Sequence, residues 1–438
     1  MRLWAISSAE IGHPESTAAE DWFGGANLPL SGYEKFVSKP SKQELEEFRA
    51  GASAWFAENV PSPPDFVMPL TFMEVGTDEQ FQFLCEWQRK VYEAGYLGAA
   101  WPEEYGGRGL NQRFQEIATD EMRRHQSPIM LNTIGLNWAG PLILDMGTHE
   151  QRQRYIKGIL SADDIWCQGF SEPDHGSDLG NAQTRAVRDG DDWVINGQKI
   201  WTTHGSYAKY MILLARSIPD AHNKYAGLSF YLAPMNVPGI ETRPIRKLTG
   251  EYGFTETFFT DARIPGESLM GEEGQGWTVA MRTLEYERNA RGGQAGGLAF
   301  VAPDRTEAID LARRAQRNGK PAIEDPAIRD KLVELMIEHQ STVLCARRAM
   351  IPPLVAERPM SLPLAGKLMT TELDRRLNEF AISLQGQAGA YGIGSPEGLD
   401  RGLWQRAYLN SFSATIGGGT SQIQTNIVAE HVLGLPKH

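Results

Sequence analysis

The stretch that most constrains this chain runs from Trp166 to Ser206, WCQGFSEPDHGSDLGNAQTRAVRDGDDWVINGQKIWTTHGS. Its first part, Gly169 to Asp178, is a turn-rich run in which Pro173 and Gly176 force a loop. Such a loop offers backbone N–H groups and hydroxyls rather than a charged patch. From Arg185 to Gly197 the residues read as strands, with Trp193, Val194 and Ile195 between the turns Asp189-Gly190 and Asn196-Gly197. The third part, Lys199 to Gly205, ends a strand with an indole and two hydroxyls, Trp201, Thr202 and Thr203. A flat indole beside convergent donors suits a planar, electron-poor ring bearing heteroatoms, which is the profile of a flavin.

Singly, each part is ordinary in soluble domains. In this order and spacing, Ser171-Glu172-Pro173-x-x-Gly176-Ser177-Asp178 followed by Asn196-Gly197-x-Lys199-x-Trp201-Thr202-Thr203 resembles the FAD-binding middle domain of the acyl-CoA dehydrogenase family. Two further phrases carry the resemblance outwards. LGAAWPEEYGGRGL (97–110) resembles the family's Pro-Glu-x-Tyr-Gly-Gly turn, and Ile416 to Gln424 resembles its C-terminal signature, with Gly419-Thr420-Ser421-Gln422 as the matching part. The resemblance covers residues 42 to 436.

The organisation of the chain agrees. A length of 438 residues exceeds one ordinary domain, and 41% hydrophobic with 22% charged residues is a globular balance. Residues 1–40 show no sustained periodicity and are expected to form an irregular arm. The helical period holds over 41–163, where Ser41 is placed to cap the first helix and others cover Glu79–Ala94, Gln112–Arg124 and Glu150–Gly158. Residues 164–275 alternate short apolar runs with Gly, Asn, Asp and Pro turns, which predicts a small β-barrel or sandwich. Over 276–438 the helical period returns, in Trp277–Arg291, Asp304–Gln316, Asp325–Ala349, Leu364–Leu384 and Ser421–Leu433. These predict an antiparallel bundle, and the fold class is α+β multidomain.

A net charge of −12 argues against nucleic acid or an anionic membrane as the main partner. Three cysteines, Cys85, Cys167 and Cys345, are too few and too scattered for a disulfide framework or a zinc site. No window is apolar enough to span a bilayer, and the first residues lack an apolar core behind a basic head, so a cytoplasmic location is expected.

The family's reaction, as the resemblance implies it, removes the α-proton of an acyl-CoA thioester while the β-hydrogen leaves as hydride to flavin N5. Many members carry the base at the position of Gly418, and a glycine cannot take a proton. Its backbone N–H can still meet the thioester oxygen. A second family position for the base is the Glu of a Glu-Arg pair before a run of small residues, and Glu287-Arg288, followed by Gly292 and Gly293, matches it. The resemblance therefore makes Glu287 the base. Glu285 lies about 200° around the helix and cannot face the same pocket; it is placed near the CoA arm or in solvent. The resemblance assigns Gln168, Phe170, Ser171, Ser177, Trp201, Thr203, Thr420 and Gln422 to FAD. To the substrate it assigns Ser177, Glu285, Arg288 and Gly419.

The partners implied are an acyl-CoA, an electron-transferring flavoprotein as electron acceptor, and further copies in a dimer or tetramer. The family's subunit-sharing phrases are degraded here, with Arg314 or Arg317 at one and Gln385-Gly386-Gln387 at the other. Two other readings stay open. One is a member with altered chemistry, a flavin oxygenation or an elimination; the other is a non-catalytic subunit of a hetero-oligomer.

Overall fold

The computed structural model describes residues 38–288, 305–349, 351 and 361–436. The expected N-terminal arm lies almost wholly outside them. Ser41 opens helix α1 (Lys42–Asn59): its hydroxyl accepts from the Glu44 N–H at 3.2 Å, and the Glu44 carboxylate accepts from the Ser41 N–H at 2.7 Å. This reciprocal pair satisfies two amides that a helix start leaves orphaned. Thr77, Asn111 and Thr148 cap α2 (Asp78–Glu93), α3 (Gln112–Arg124) and α5 (His149–Ser161) with their own side chains. Between them α4 (Gly140–Met146) follows a π-helical turn over Gly135–Ala139. Two glycines and a proline hide this segment's period, and it folds because its residues are buried almost throughout.

The middle region holds β1 (Trp166–Gly169), β2 (Arg185–Asp189), β3 (Asp192–Thr203), β4 (Tyr210–Arg216), β5 (Leu228–Pro234), β6 (Ile240–Ile245), β7 (Phe254–Pro265) and β8 (Leu269–Met270). They form one sheet in the order β6-β7-β3-β2-β4-β5-β8, with β1 parallel beside β4. Strand alternation splits its side chains. Met211, Leu213 and Ala215 join Trp193, Ile195, Tyr231 and Phe259 in a core that the sheet wraps around. Ile212 and Leu214 point the other way, into the core shared with the N-terminal helices.

One expectation fails here. Asn196-Gly197 is not a turn; it sits inside the twelve-residue β3 as a bulge against β7, with Gly197 at φ +147. A Cβ there would lie 2.7 Å from Thr184 Cα, so the dipeptide serves close packing instead of chain reversal. A second register break between Lys199 and Thr202 bends the strand where Trp201 stands at φ +59.

The helical period returns in α6 (Gly276–Arg288), α7 (Glu307–Arg314), α8 (Pro326–Ala349), α9 (Ser361–Leu384), α10 (Leu403–Ile416) and α11 (Ser421–Ile427). Residues of the expected Trp277–Arg291 helix beyond 288, including the small residues at 292 and 293, lie outside the described residues. The last helix is shorter than expected, because at Val428 it widens into a π turn reaching Val432. Helix α10 was not foreseen. Its sequence LWQRAYLNSFSATI mixes Ser, Asn and Thr among apolar residues, and tertiary packing of Trp404, Arg406 and Ala407 overrides that weak propensity. α9 packs against α7, α8, α10 and α11, and α6 packs chiefly against β4, β5, α4 and the 135–139 turn. Among the described residues no helix is long and apolar enough to cross a membrane.

Candidate active site

The last turn before α11 is built from three consecutive glycines. α10 ends as the Gly417 N–H donates to Ser413 O at 2.8 Å. Gly418 at φ +65 and Gly419 at φ +90 then swing the chain into α11, where Thr420 Oγ1 accepts from the Ile423 N–H at 3.1 Å. Only glycine takes that pair of left-handed angles at low cost. Two side chains fix the turn: Gln424 Nε2 donates to Gly418 O at 2.9 Å, and Lys367 Nζ donates to Gly419 O at 2.7 Å. A Cβ built on Gly418 would lie 3.2 Å from Glu287 Oε1 and 4.0 Å from Lys367 Cε. Two positions far apart in sequence thus converge on one point, and a side chain at 418 would begin against the Glu287 carboxylate.

Helix α6 holds Glu287 from the other side. Asp145 of α4 accepts from Arg282 Nε at 2.7 Å and from the Tyr286 hydroxyl at 3.0 Å, and Arg282 Nη1 donates to Glu285 at 2.7 Å. Glu285 is therefore tied to Arg282 on the exposed flank, away from Glu287, as the helical period requires. The Arg288 side chain lies outside the described residues.

The loop after β1 is anchored by a buried ion pair that the sequence reading did not single out. Lys199, fully buried in β3, donates from Nζ to Phe170 O and to Glu172 Oε1, both at 2.9 Å. Glu172 also accepts from the Gln183 and Thr184 N–H groups at 2.6 and 2.8 Å. Burial works to raise its carboxyl, but Lys199 and these two hydrogen bonds outweigh burial and hold it below the usual carboxylate range. Ser171 O accepts from the Ile200 N–H at 2.9 Å, so the loop is stitched to β3 on both sides. The carbonyls of Phe170 and Ser171 are thereby engaged, and contact with a ligand falls first to their amides. The Phe170 ring stands edge-on to Phe230 at 5.9 Å.

Beyond the loop, Gln168 Oε1 is buried without a hydrogen-bond partner among the described residues. Trp201 is 55% exposed despite its size, with Phe254 edge-on at 6.0 Å, while Thr203 beside it is buried. Ser177 and Gln422 are exposed. Arg314 is held bidentately by Asp400 at 2.7 and 2.9 Å.

A second buried network joins the Trp201 end of β3 to α10. His204, 2% exposed and at φ +60, donates from Nε2 to Phe72 O at 2.6 Å. Two residues on, the buried Glu74 accepts from Arg406 and Asn410 of α10, and Arg406 also donates to Glu251 at 2.6 Å. The helix leading into the triple glycine is thus registered against the strand carrying Trp201.

Burial pulls His204 down to about 4, against the pull of its bond to Phe72. The unfolded ring titrates near 6.5, so between about pH 4 and 6.5 the unfolded chain binds the extra proton and stability falls as pH falls. His204→Gln removes that slope, worth on the order of 3 kcal/mol. The difference in unfolding free energy between the two proteins, measured across this window, is expected to shift in favour of the variant as pH drops.

Sequence models of the acyl-CoA dehydrogenase family match the chain in all three parts: the N-terminal domain over 42–163, the middle domain over 167–262 and the C-terminal domain over 274–433. The chain belongs to the acyl-CoA dehydrogenase family. Acyl-CoA dehydrogenase IpdE1 of Mycobacterium tuberculosis is 36% identical to it over 396 residues, covering 90% of this chain and 99% of that protein. Among solved structures, one described as a Tcur3481-Tcur3483 steroid ACAD superposes with a TM-score of 0.75 at 29% identity, covering 91% of this chain and 99% of the other. The ChsE4-ChsE5 complex from M. tuberculosis gives 0.71 at 28%, covering 92% and all of its matched chain.

The helical, β and helical layers are those of an acyl-CoA dehydrogenase, and the chain is an oxidoreductase of that family. Members of the family are FAD flavoproteins. The residues present fit such a group. The unsatisfied Gln168 Oε1 suits the N–H of a pyrimidine edge, and the exposed indole of Trp201 gives an apolar plane for a flat ring. Sequence reasoning quoted Glu172, Lys199 and Gln424 within motifs without giving them a role, and missed Lys367 and Arg406. Lys199 alone carried a signal, a lysine in a strand whose neighbours alternate inwards. Lys367 and Arg406 stand in helices where a basic residue is ordinary.

Proposed function

We propose that this acyl-CoA dehydrogenase oxidises an acyl-CoA thioester to the 2,3-enoyl-CoA, with Glu287 as the base. The observation that carries the reading is the approach of Glu287 Oε1 to within 3.2 Å of the point where residue 418 would place a Cβ. The glutamate from the helix reaches the spot left open by the glycine. Glu287 Oε1 takes the α-proton as the C–H bond breaks. The Gly418 amide donates to the thioester oxygen and stabilises the charge that develops there. The Gly418–Gly419 turn, pinned by Gln424 and Lys367, keeps that donor fixed during the reaction. Gln168, the amides of Phe170 and Ser171, Trp201 and Thr203 would hold FAD together with Thr420, Gln422 and Ser177, and Ser177 and Gly419 would also meet the substrate. FAD, when bound, would supply the acceptor for the β-hydrogen leaving as hydride, and an electron-transferring flavoprotein would take the electrons on.

The substrate proposed is a bulky, ring-bearing acyl-CoA. Its support is the likeness to a structure described as a steroid ACAD. The same neighbours are two-chain assemblies by name, and a second chain is proposed here too. Val333, Ile337 and Leu344 form an exposed apolar stripe on α8, 57%, 62% and 52% exposed, which would lie against it.

Anaerobic mixing of the purified protein with ring-bearing and straight-chain acyl-CoAs tests this reading. Bleaching of the flavin colour, fastest with the ring-bearing thioesters, is expected. A yellow protein that no acyl-CoA bleaches, with or without a co-purified partner, would leave altered chemistry as the reading; a colourless one would leave the non-catalytic subunit.

A further inference from the structure

We infer that Lys367 is a positioning residue for the reaction, whose charge keeps the Glu287 carboxyl ionised at neutral pH. The inference rests on Glu287 being the base. Lys367 stands on α9, an element that carries none of the residues the family resemblance assigned. Its ammonium donates to Gly419 O at 2.7 Å, and its Cε lies 4.0 Å from the point on Gly418 that Glu287 Oε1 approaches at 3.2 Å. The side chain therefore does two things from one place. It straps the glycine turn, and its methylene end and the Glu287 carboxylate approach the same point on Gly418, which brings its charge into the neighbourhood of the proposed base.

The physical need is plain. A base in a half-buried site loses hydration, which favours its neutral form and would leave part of it already protonated at pH 7. A cation on the same side of the turn opposes that loss.

Among the described residues, the other charged and titratable groups on elements packed against α6 have partners or surroundings of their own. Asp145 of α4 holds Arg282 and Tyr286, and Arg282 holds Glu285. In β4, Arg216 donates to the carbonyls of Ala182, Gly180 and Lys224, and Tyr210 stacks on Trp166. Tyr231 of β5 points into the sheet's own core. The 135–139 turn carries no ionisable side chain. On α9 itself, Glu372 accepts from Ser421 Oγ at 2.6 Å and faces Arg375 at 3.5 Å.

The test reads the Glu287 carboxyl directly. An infrared pH titration of the protonated-carboxyl band, with the E287Q spectrum subtracted, gives its pKa without any substrate. In Lys367→Met that pKa is expected to rise by about one unit, the effect of removing a neighbouring opposite charge. Lys367→Arg restores it. The acid limb of flavin reduction by an acyl-CoA should move upwards by the same amount in Lys367→Met, about tenfold in rate below neutrality, and return in Lys367→Arg. An unchanged Glu287 pKa in folded Lys367→Met overturns the inference. Should that variant not fold, Lys367→Gln carries the same reading, since it removes the charge and keeps a donor. If wild-type flavin is never bleached yet the carboxyl pKa shifts with Lys367, the dehydrogenation reading fails and the charge coupling stands.

Discussion

Glu287→Gln is expected to leave FAD content and acyl-CoA binding as in the wild type while slowing flavin reduction by about a hundred- to ten-thousand-fold, the usual worth of a positioned base. The amide keeps the shape of the carboxylate and cannot take the proton. Rapid-mixing absorbance measures the loss, and ligand titration shows whether binding survives, which separates a chemical role from a binding one. Glu285→Gln is the internal control. Its carboxylate is tied to Arg282 on the exposed side of α6, so its removal should change the rate only a few-fold. Comparable losses in both variants would mean that α6 is being perturbed as a helix rather than at one group.

The second large effect is on stability. Lys199→Met leaves Glu172 ionised and enclosed, with only the Gln183 and Thr184 amides for partners. Breaking a buried ion pair on one side costs about 3–5 kcal/mol, because the remaining charge has no compensation. The loss should appear as an earlier unfolding transition in urea, accompanied by loss of FAD, since Lys199 also holds the Phe170 carbonyl. The sign with pH follows from the lowered carboxyl. Stability from the Glu172 pair is present above the unfolded value near 4.5 and disappears as pH falls through the lower folded value, so wild type and variant should draw together in acid. A variant that unfolds with the wild type and keeps FAD would contradict the anchoring role.

Much of the architecture was legible because it rests on local signals. Ser41 with Glu44 three residues on announces a helix start, and the Gly, Asn and Asp punctuation after Trp166 announces strands. Long-range pairing is where the reading failed. Asn196-Gly197 has the composition of a hairpin turn, but β3 continues through it because β7 pairs with both halves. Helix α10 has a weak intrinsic preference and is held by Trp404 and by the Arg406–Glu74 contact with a residue more than three hundred positions away. The site shows the same division. Motif residues such as Gly418 and Glu287 could be matched one by one, but their approach to one point depends on how α6 meets the turn before α11. The supporting charges, Lys199 and Lys367, become visible only when the strand and the bundle are assembled.

The most direct test of the account follows the α-hydrogen itself. The FAD-loaded protein, with any partner chain that co-purifies, is incubated anaerobically in deuterated water with a bleaching acyl-CoA, and deuterium at the α-carbon is read by mass spectrometry. Wild type should introduce deuterium there, while Glu287→Gln, with its FAD and ligand binding intact, should do so no faster than buffer. Incorporation by Glu287→Gln at the wild-type rate would mean that another group takes the proton, and the convergence of Glu287 on Gly418 would then be packing alone.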